Sequence, residues 1–595
     1  MLRKLILLCI FVLWPVAGQT QAADPGMQYV SIAFHDIVDD PAMLSDDAIT
    51  SDRLVAFFEW MKGNGWTAVS LDDIERAGRG GKPLPPRAVL LTFDDGYRSF
   101  YTRVFPLLLA YRMPAVSGLV GAWMDAPMEA EVLYNDKTVP RRNFISWAEA
   151  REMQASGLVE FASHSYDLHR TVIGNPQGNA MPSAVTREYR SGSGYEDAAS
   201  YRARLDVDAR RISALLTREL GRAPRAWIWP YGRYSEDGIA AVKAAGFRFS
   251  MTLDAGIASA LQPLTIPRQY PGADVKLADL VSMLRLDRQL PAAQRLACLD
   301  PGALWTGDYT TTDERLGKAI ERLRVLGATA VVIDATTSGP DGTPAEAWFP
   351  TTELPVRADI LSRLVWQLQT RGGVEAYVRL SSNAVQRKLQ SDARALTLFR
   401  DLGVSASLAG LFIDDATALA LARTDLPTGP FGGRLWETQV ARDGLDLATL
   451  APPERLAMQS FRETQRSRPW MNLAMLIDTP GNVAGNGPGD PDNLGKLADL
   501  TLIRADATTY AARNSAAPFD TAANAKLHTL TSRRSGLWFA SPAPPPAAVL
   551  SAATRRFQQL GGSAIGWCAD SPVANLPVAA EAAPGVSAAT FPLRF

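Results

Sequence analysis

The chain has 595 residues, of which 47% are apolar and 21% charged, and its formal net charge is −1. That length requires more than one domain, and that composition excludes a long disordered chain. Near-neutrality gives no reason to expect nucleic acid, an anionic membrane or any other polyionic partner.

At the start, Arg3 and Lys4 precede an apolar run over 5–16, too short to span a bilayer as an ordinary helix. Thr20-Gln-Ala22 offers a small-residue cleavage site, so residues 1–22 read as an export signal. Cys9 lies inside the run without the small residues before it that a lipoprotein signal needs, so no lipid anchor is expected.

A first domain is placed at 23–280. It opens on a strand over 29–34 that ends in His35-Asp36. Residues 51–63 have an acidic start and apolar residues at 54, 57, 58 and 61, the spacing of one helix face. Apolar runs predict further strands at 67–71, 88–93, 115–120, 158–162, 226–229 and 248–253, with helical stretches between several of them. Such alternation argues a parallel sheet or barrel. Residues 171–205, rich in Gly, Asn, Ser and Pro, interrupt it and read as a long surface loop, either bordering a cleft or without a role.

Asp94 and Asp95 stand at the end of the 88–93 run. Buried charge is costly unless paired, and in α/β proteins the carboxyl ends of strands are where ligands bind. Neighbours in an extended chain point opposite ways, so the two carboxylates have different jobs. After the 158–162 run comes Ser163-His164-Ser165-Tyr166-Asp167-Leu168-His169, which holds two of the four histidines. The i, i+5 spacing does not suit one helix face and puts the pair on a strand-end loop. Asp95, His164 and His169 make a divalent metal set with open positions for water and substrate. Asp94 is then a general base, or an outer partner of a ligand histidine. His35, at the end of the first strand, is open to three readings: general acid, outer-layer residue or core histidine. His528 has no motif around it.

A second domain is placed at 290–570. Eight strand candidates, at 295–299, 328–333, 373–378, 409–413, 472–477, 499–505, 536–541 and 563–568, leave room for a helix between most pairs. They predict a (β/α)8 barrel. Leu411-Phe-Ile-Asp-Asp415 repeats the pattern of carboxylates at a strand end. Cys298 falls in the first of these strands and Cys568 in the eighth. Barrel closure makes those strands neighbours about 4.8 Å apart. A disulfide then forms if heights and side-chain directions match; two separate buried thiols are the alternative. Residues 571–595 form a tail outside both domains, rich in Ala and Pro over most of its length.

Arg79-Gly-Gly-Lys-Pro-Leu-Pro85, Leu91-Thr-Phe-Asp-Asp-Gly-Tyr97, the two-histidine motif and Trp229-Pro-Tyr-Gly232 come in that order, followed by Trp348-Phe-Pro350 and Arg357-Ala-Asp-Ile-Leu-Ser-Arg363. The set resembles the NodB-like polysaccharide deacetylases, and within them the subgroup of biofilm-export systems. The resemblance implies a distorted NodB-like (β/α) barrel followed by a glycosidase-like, glycan-binding (β/α)8 barrel. It implies metal-dependent N-deacetylation of a poly-β-1,6-N-acetylglucosamine exopolysaccharide, with release of acetate. The implied site is one divalent ion (zinc, nickel, cobalt or iron) on Asp95, His164 and His169, with Asp94 as base. It further implies an oxyanion contact from the backbone N–H at Tyr231, and a catalytic Asp414, for which the second carboxyl a glycosidase needs is open to Asp300, Asp334 or Asp415. The implied location is the periplasm, with outer-membrane association and an export porin as partner left open.

Two departures matter. The family's Arg three places before the motif Tyr is Ile228 here, and its late His acid is missing from Leu264-Thr-Ile-Pro-Arg268. The subgroup resembles this chain in both losses, which leaves His35 as the available imidazole. Val378-Arg-Leu-Ser381 stands where aromatic and small apolar residues are expected. Glycan binding without cleavage, hydrolysis and a purely structural barrel therefore stay open for the second domain. For the whole chain the alternatives are the same chemistry on chitin-like oligomers or peptidoglycan, or a glycan-binding scaffold with a weakened site.

Overall fold

The computed structural model describes residues 25–134, 137–254, 256–273, 275–286, 294–413, 445–450, 452–478, 498–505, 535–539, 547–559 and 564–568. The expected signal, the tail, Asp414, Asp415 and His528 lie outside them.

The first unit is built on a curved sheet of β1 (Gln28–Phe34), β2 (Ala88–Phe93), β3 (Ala115–Leu119), β4 (Val159–Ser163), β5 (Ala226–Ile228), β6 (Phe249–Met251) and β7 (Ala258–Ser259). Its order is β6-β5-β4-β3-β2-β1-β7, parallel throughout except for the β1–β7 pair. All six residues of β2 are buried, as a central strand covered on both faces requires. Residues 266–269 bridge the two sides of this sheet. The Thr252 N–H donates to the Ile266 carbonyl at 2.8 Å, and the Gln269 N–H to the Ser31 carbonyl at 2.7 Å. The barrel is therefore distorted, because irregular backbone takes the place of a last strand.

Helix α1 (Ser51–Gly63) starts where the Thr50 hydroxyl accepts the Arg53 N–H, and it buries Leu54, Phe57, Phe58 and Met61. Each such side chain, fully buried, stabilises the fold by about 1.5–3 kcal/mol. The strand expected over 67–71 stops at Ala68. Ser70 and Asp73 form a reciprocal capping box there, and a helix starts at Leu71 instead.

The interruption after β4 is not one loop. It contains two short hairpins, Thr171–Ile173 with Ala180–Pro182 and Tyr189–Arg190 with Gly194–Tyr195. Helix α2 (Ala198–Leu220) then begins behind Asp197, whose carboxylate caps its first turn. Helix α3 (Leu277–Arg285) places Leu280 and Leu284 in the core that holds Phe57 and Phe58.

The second unit is a closed barrel of eight parallel strands, as the eight apolar runs predict. They are β8 (Gln294–Leu299), β9 (Ala330–Asp334), β10 (Glu375–Arg379), β11 (Gly410–Ile413), β12 (Asn472–Asp478), β13 (Leu500–Ala505), β14 (Ser535–Phe539) and β15 (Ala564–Trp567). Leu296, Val332, Tyr377, Phe412 and Trp538 share one core, while alternate residues such as Val331 and Ile333 share another with the helices. β15 pairs with β8, and Cys298 and Cys568 form a disulfide with Cα atoms 4.8 Å apart.

The two units meet along the interrupting segment and at the end of helix α5 (Pro452–Gln465). Asn175 donates to Ser362 Oγ at 3.1 Å, at the start of α4 (Leu361–Thr370), and Tyr195 donates to the Asp359 carboxylate at 2.6 Å. The segment is thus a docking element for the second barrel and not an insertion without a role.

Candidate metal centre and catalytic site

Three strand ends of the first sheet converge. Asp94 and Asp95 follow β2, His164 and His169 follow β4, and Tyr231 follows β5. Six non-glycine residues among those described have positive φ. Arg112, Leu286 and Gln390 cap helix C-termini, where that conformation is routine. The other three are Asp95 (φ +70°), Ser165 (+72°) and Tyr231 (+56°), one in each of these loops. A left-handed non-glycine residue costs about 1–3 kcal/mol and persists only where its surroundings impose it.

His164 Nε2 and His169 Nε2 each lie 3.2 Å from Asp95 Oδ1, and all three side chains are buried. His164 Nδ1 is 2.9 Å from the Ile228 carbonyl, which can only accept. Its proton therefore sits on Nδ1, and Nε2 turns a lone pair toward Asp95. Gly118 on β3 leaves the space for this imidazole, since a Cβ there would lie 3.3 Å from His164 Cβ and 2.9 Å from Ile228 Cδ1.

Asp95 Oδ1 has no hydrogen-bond partner although it is buried. A carboxylate oxygen facing an imidazole lone pair is repulsive unless a cation lies between them. Ligand atoms bonded at 2.0–2.1 Å stand about 2.8–3.0 Å apart in an octahedral shell and about 3.3–3.4 Å apart in a tetrahedral one, and the two 3.2 Å separations fall between these. The residues fit a divalent cation, and their mixed N and O character suits several first-row metals. The other carboxylate oxygen, Oδ2, accepts the Tyr134 hydroxyl at 2.7 Å. Burial raises the Asp95 carboxyl, and positive charge against it, carried by His169 and His164 when they are protonated with no cation bound, holds it well below the ordinary range.

Asp94 points the other way. Arg268 grips it with Nη1 on Oδ1 at 2.7 Å and Nη2 on Oδ2 at 2.8 Å, while also donating to Thr92 Oγ1 and the Thr252 carbonyl. Burial pushes Asp94 up, Arg268 outweighs it, and the carboxyl ends below its ordinary value. His35 Nε2 lies 3.9 Å from Asp94 Oδ2, its ring edge-on to Tyr270, and its Nδ1 is buried without a partner. Tyr231 places its ring 4.7 Å from that of His169. Every first-domain residue named from the sequence is therefore in one place.

Three contributors were not legible in the sequence. Arg268 comes in on the irregular segment that bridges the sheet and reaches Asp94 across 174 residues of sequence, supplying the arginine that position 228 lacks. Tyr134 arrives on the hairpin of Glu131–Tyr134 with Lys137–Pro140. Asp208, on α2, accepts the N–H groups of Tyr166 and Asp167 at 2.8 and 2.6 Å and so clamps the two-histidine loop. No local pattern marks them: Asp208 stands among charged residues in Asp206-Val-Asp-Ala-Arg-Arg211, and Tyr134 is followed by Asn-Asp-Lys137.

In the second barrel, Asp300 accepts the Gly302 N–H at 2.8 Å as a helix cap, and Asp334 is paired with Arg379 at 2.7 Å. Asp414 lies outside the described residues.

Residues 81–250 match the polysaccharide deacetylase family model, and residues 302–392 match that of a hypothetical glycosyl hydrolase family 13. The chain is 37% identical over 355 residues to the poly-β-1,6-N-acetyl-D-glucosamine N-deacetylase of Escherichia coli O157:H7, covering 59% of this chain and 53% of that one. The match to the protein of the same name from Escherichia coli K12 is 36% identical with the same coverage. The chain thus spans about half the length of the curated relatives it matches. A solved de-N-acetylase from Aggregatibacter actinomycetemcomitans is 33% identical with a TM-score of 0.40, over 43% of this chain and 99% of that one.

Proposed function

From a chain that carries a polysaccharide deacetylase domain followed by a glycosidase-like one, we propose a hydrolase that removes acetyl groups from a poly-β-1,6-N-acetylglucosamine polymer and releases acetate. One observation carries the reading: Asp95 Oδ1, His164 Nε2 and His169 Nε2 converge beside a carboxylate that Arg268 keeps charged.

Asp95, His164 and His169 would hold one divalent cation (zinc, nickel, cobalt or iron), which when bound supplies Lewis acidity to the acetamide carbonyl and to the attacking water. Asp94 takes the proton of that water, and Arg268 keeps the carboxylate ionised and aimed. Charge developing on the carbonyl oxygen meets the main-chain N–H at Tyr231, whose conformation is set before substrate arrives. His35 hands a proton to the leaving amine. Its side chain is partly open to solvent, at 12% exposure.

We further propose that the second barrel holds the polymer without cutting it. Asp300, one of the carboxylates available to a glycosidase pair, serves as a helix cap, and Val378-Arg-Leu-Ser381 thins the aromatic lining that the resemblance implies. The disulfide and the export signal support a periplasmic location. An outer-membrane export porin is proposed as partner on the resemblance alone.

The test is acetate release from defined, fully acetylated β-1,6-linked glucosamine oligomers, with chelator and with each candidate metal added back. Release that chelator stops and metal restores is expected. No release under any metal, with the oligomers still retained by the protein, would replace this reading with that of a glycan-binding scaffold. Faster release from chitin-like oligomers or peptidoglycan would change the substrate.

A further inference from the structure

The turn that carries Tyr231 is held from the second barrel. Pro230–Gly232 is a tight turn, closed by the Gly232 N–H to the Trp229 carbonyl at 2.9 Å and the Arg233 N–H to the Pro230 carbonyl at 3.0 Å. The next two residues meet Trp470, from the segment between α5 and β12. The Arg233 guanidinium lies over the indole at 4.7 Å, and the Tyr234 ring stands 5.9 Å from it. Trp470 packs against the core of the first unit rather than that of its own barrel. Arg468 closes the indole's surroundings at 5.7 Å and donates to the Val185 carbonyl at 2.9 Å. One residue pair further on, the Glu236 N–H donates to the Arg466 carbonyl at 2.9 Å, and the two side chains form an ion pair at 3.1 Å.

We propose that Trp470 is a positioning residue for deacetylation: the second barrel sets the oxyanion turn of the first through the Trp470–Arg233–Tyr234 stack. The inference rests on the deacetylase reading above. Tyr231 is held at φ +56°, a conformation that relaxes unless its neighbours impose it. The turn itself supplies two backbone hydrogen bonds, and the residues after it are anchored across the domain seam. A guanidinium stacked on indole fixes the residues that follow the turn, where relaxation of the strained backbone would otherwise begin. A shift of about 1 Å in an oxyanion donor is enough to cost a hundredfold in rate. The second barrel therefore does more than hold polymer, and its absence is felt even by a substrate too short to reach it.

The test uses the full chain and a short acetylated glucosamine oligomer. Trp470→Ala is expected to lower kcat 10- to 100-fold with KM within about twofold and metal content unchanged. Binding of a methylphosphonamidate analogue, whose tetrahedral oxygens imitate the oxyanion, should weaken in parallel. Trp470→Phe, which keeps a ring, should recover kcat to within about fivefold of the parent. Ser362→Ala, which breaks a domain contact outside the Trp470–Arg233–Tyr234 stack, should leave kcat unchanged. Should Trp470→Ala unfold, Arg233→Gln removes the stack without opening a cavity, and a loss of about tenfold in kcat is expected. Full kcat in Trp470→Ala or Arg233→Gln overturns the proposal, as does an equal loss in Ser362→Ala. If the parent protein binds metal yet releases no acetate, the deacetylase reading fails first and this inference with it.

Discussion

Arg268 and Asp94 form a two-point ion pair at 2.7 and 2.8 Å, and both side chains are shut off from solvent. The folded carboxyl lies below its ordinary value of 3.8. Its contribution to stability is therefore present above that ordinary value and is lost as pH falls through the lower, folded one. Arg268→Met should leave a buried carboxylate unpaired, destabilise the protein by about 3–5 kcal/mol and move the acid limb of kcat/KM to higher pH. A pH–rate profile with an unmoved acid limb would show that Arg268 does not govern the base.

Ligand and base are separable. His164→Ala or His169→Ala should remove acetate release and metal retention together. Asp94→Asn should remove turnover, by at least a hundredfold, while metal stays bound. Metal content by elemental analysis beside an acetate assay decides this, and a near-normal rate in Asp94→Asn would refute the assignment of the base.

Asp208 holds the two-histidine loop through the Tyr166 and Asp167 N–H groups, and burial pushes its carboxyl up to about 7. A raised folded value means that its stabilising contribution is complete below the unfolded value and fades as pH rises through about 7. Asp208→Asn, which does not titrate, should gain stability relative to the parent between pH 4.5 and 8. Denaturant melts at both ends of that range measure the difference; a constant difference would place the proton elsewhere. Asp208→Ala, which frees the buried N–H of Tyr166 and the part-buried one of Asp167, should cost about 1–3 kcal/mol for the first, less for the second, and weaken metal retention.

The Cys298–Cys568 bond closes a loop with a sequence separation of 270 residues. In the chain-entropy model a loop of that size stabilises by roughly 5 kcal/mol. Cys298→Ser with Cys568→Ser, or reductant on the parent, should lower the melting temperature of the second barrel by several degrees. Acetate release from short oligomers at 25 °C should not change. Labelling of both cysteines by a thiol reagent without prior reduction would show that the bond is absent in solution.

What the sequence by itself determined is whatever rests on short-range pattern. The buried strand at 88–93, the helix at 51–63 and the eight apolar runs of the second barrel are periodicities, and periodicity follows from which faces are buried. Asp94, Asp95, His164 and His169 were legible because strand ends carry them into one place in any parallel sheet. The neighbourhood of Cys298 and Cys568 followed from closure of eight strands, although the bond did not. Only tertiary structure could decide the rest. Arg268 reaches Asp94 on backbone that belongs to no regular strand, so no period announces it. The segment after β4 has loop composition, yet its hairpins are ordered by contact with Ser362 and Asp359 of another domain. Trp470 sits beside a turn 239 residues earlier (470 − 231) because two separately folded cores press their faces together. Contacts of that kind depend on the shapes of finished domains, which local residue pattern does not encode.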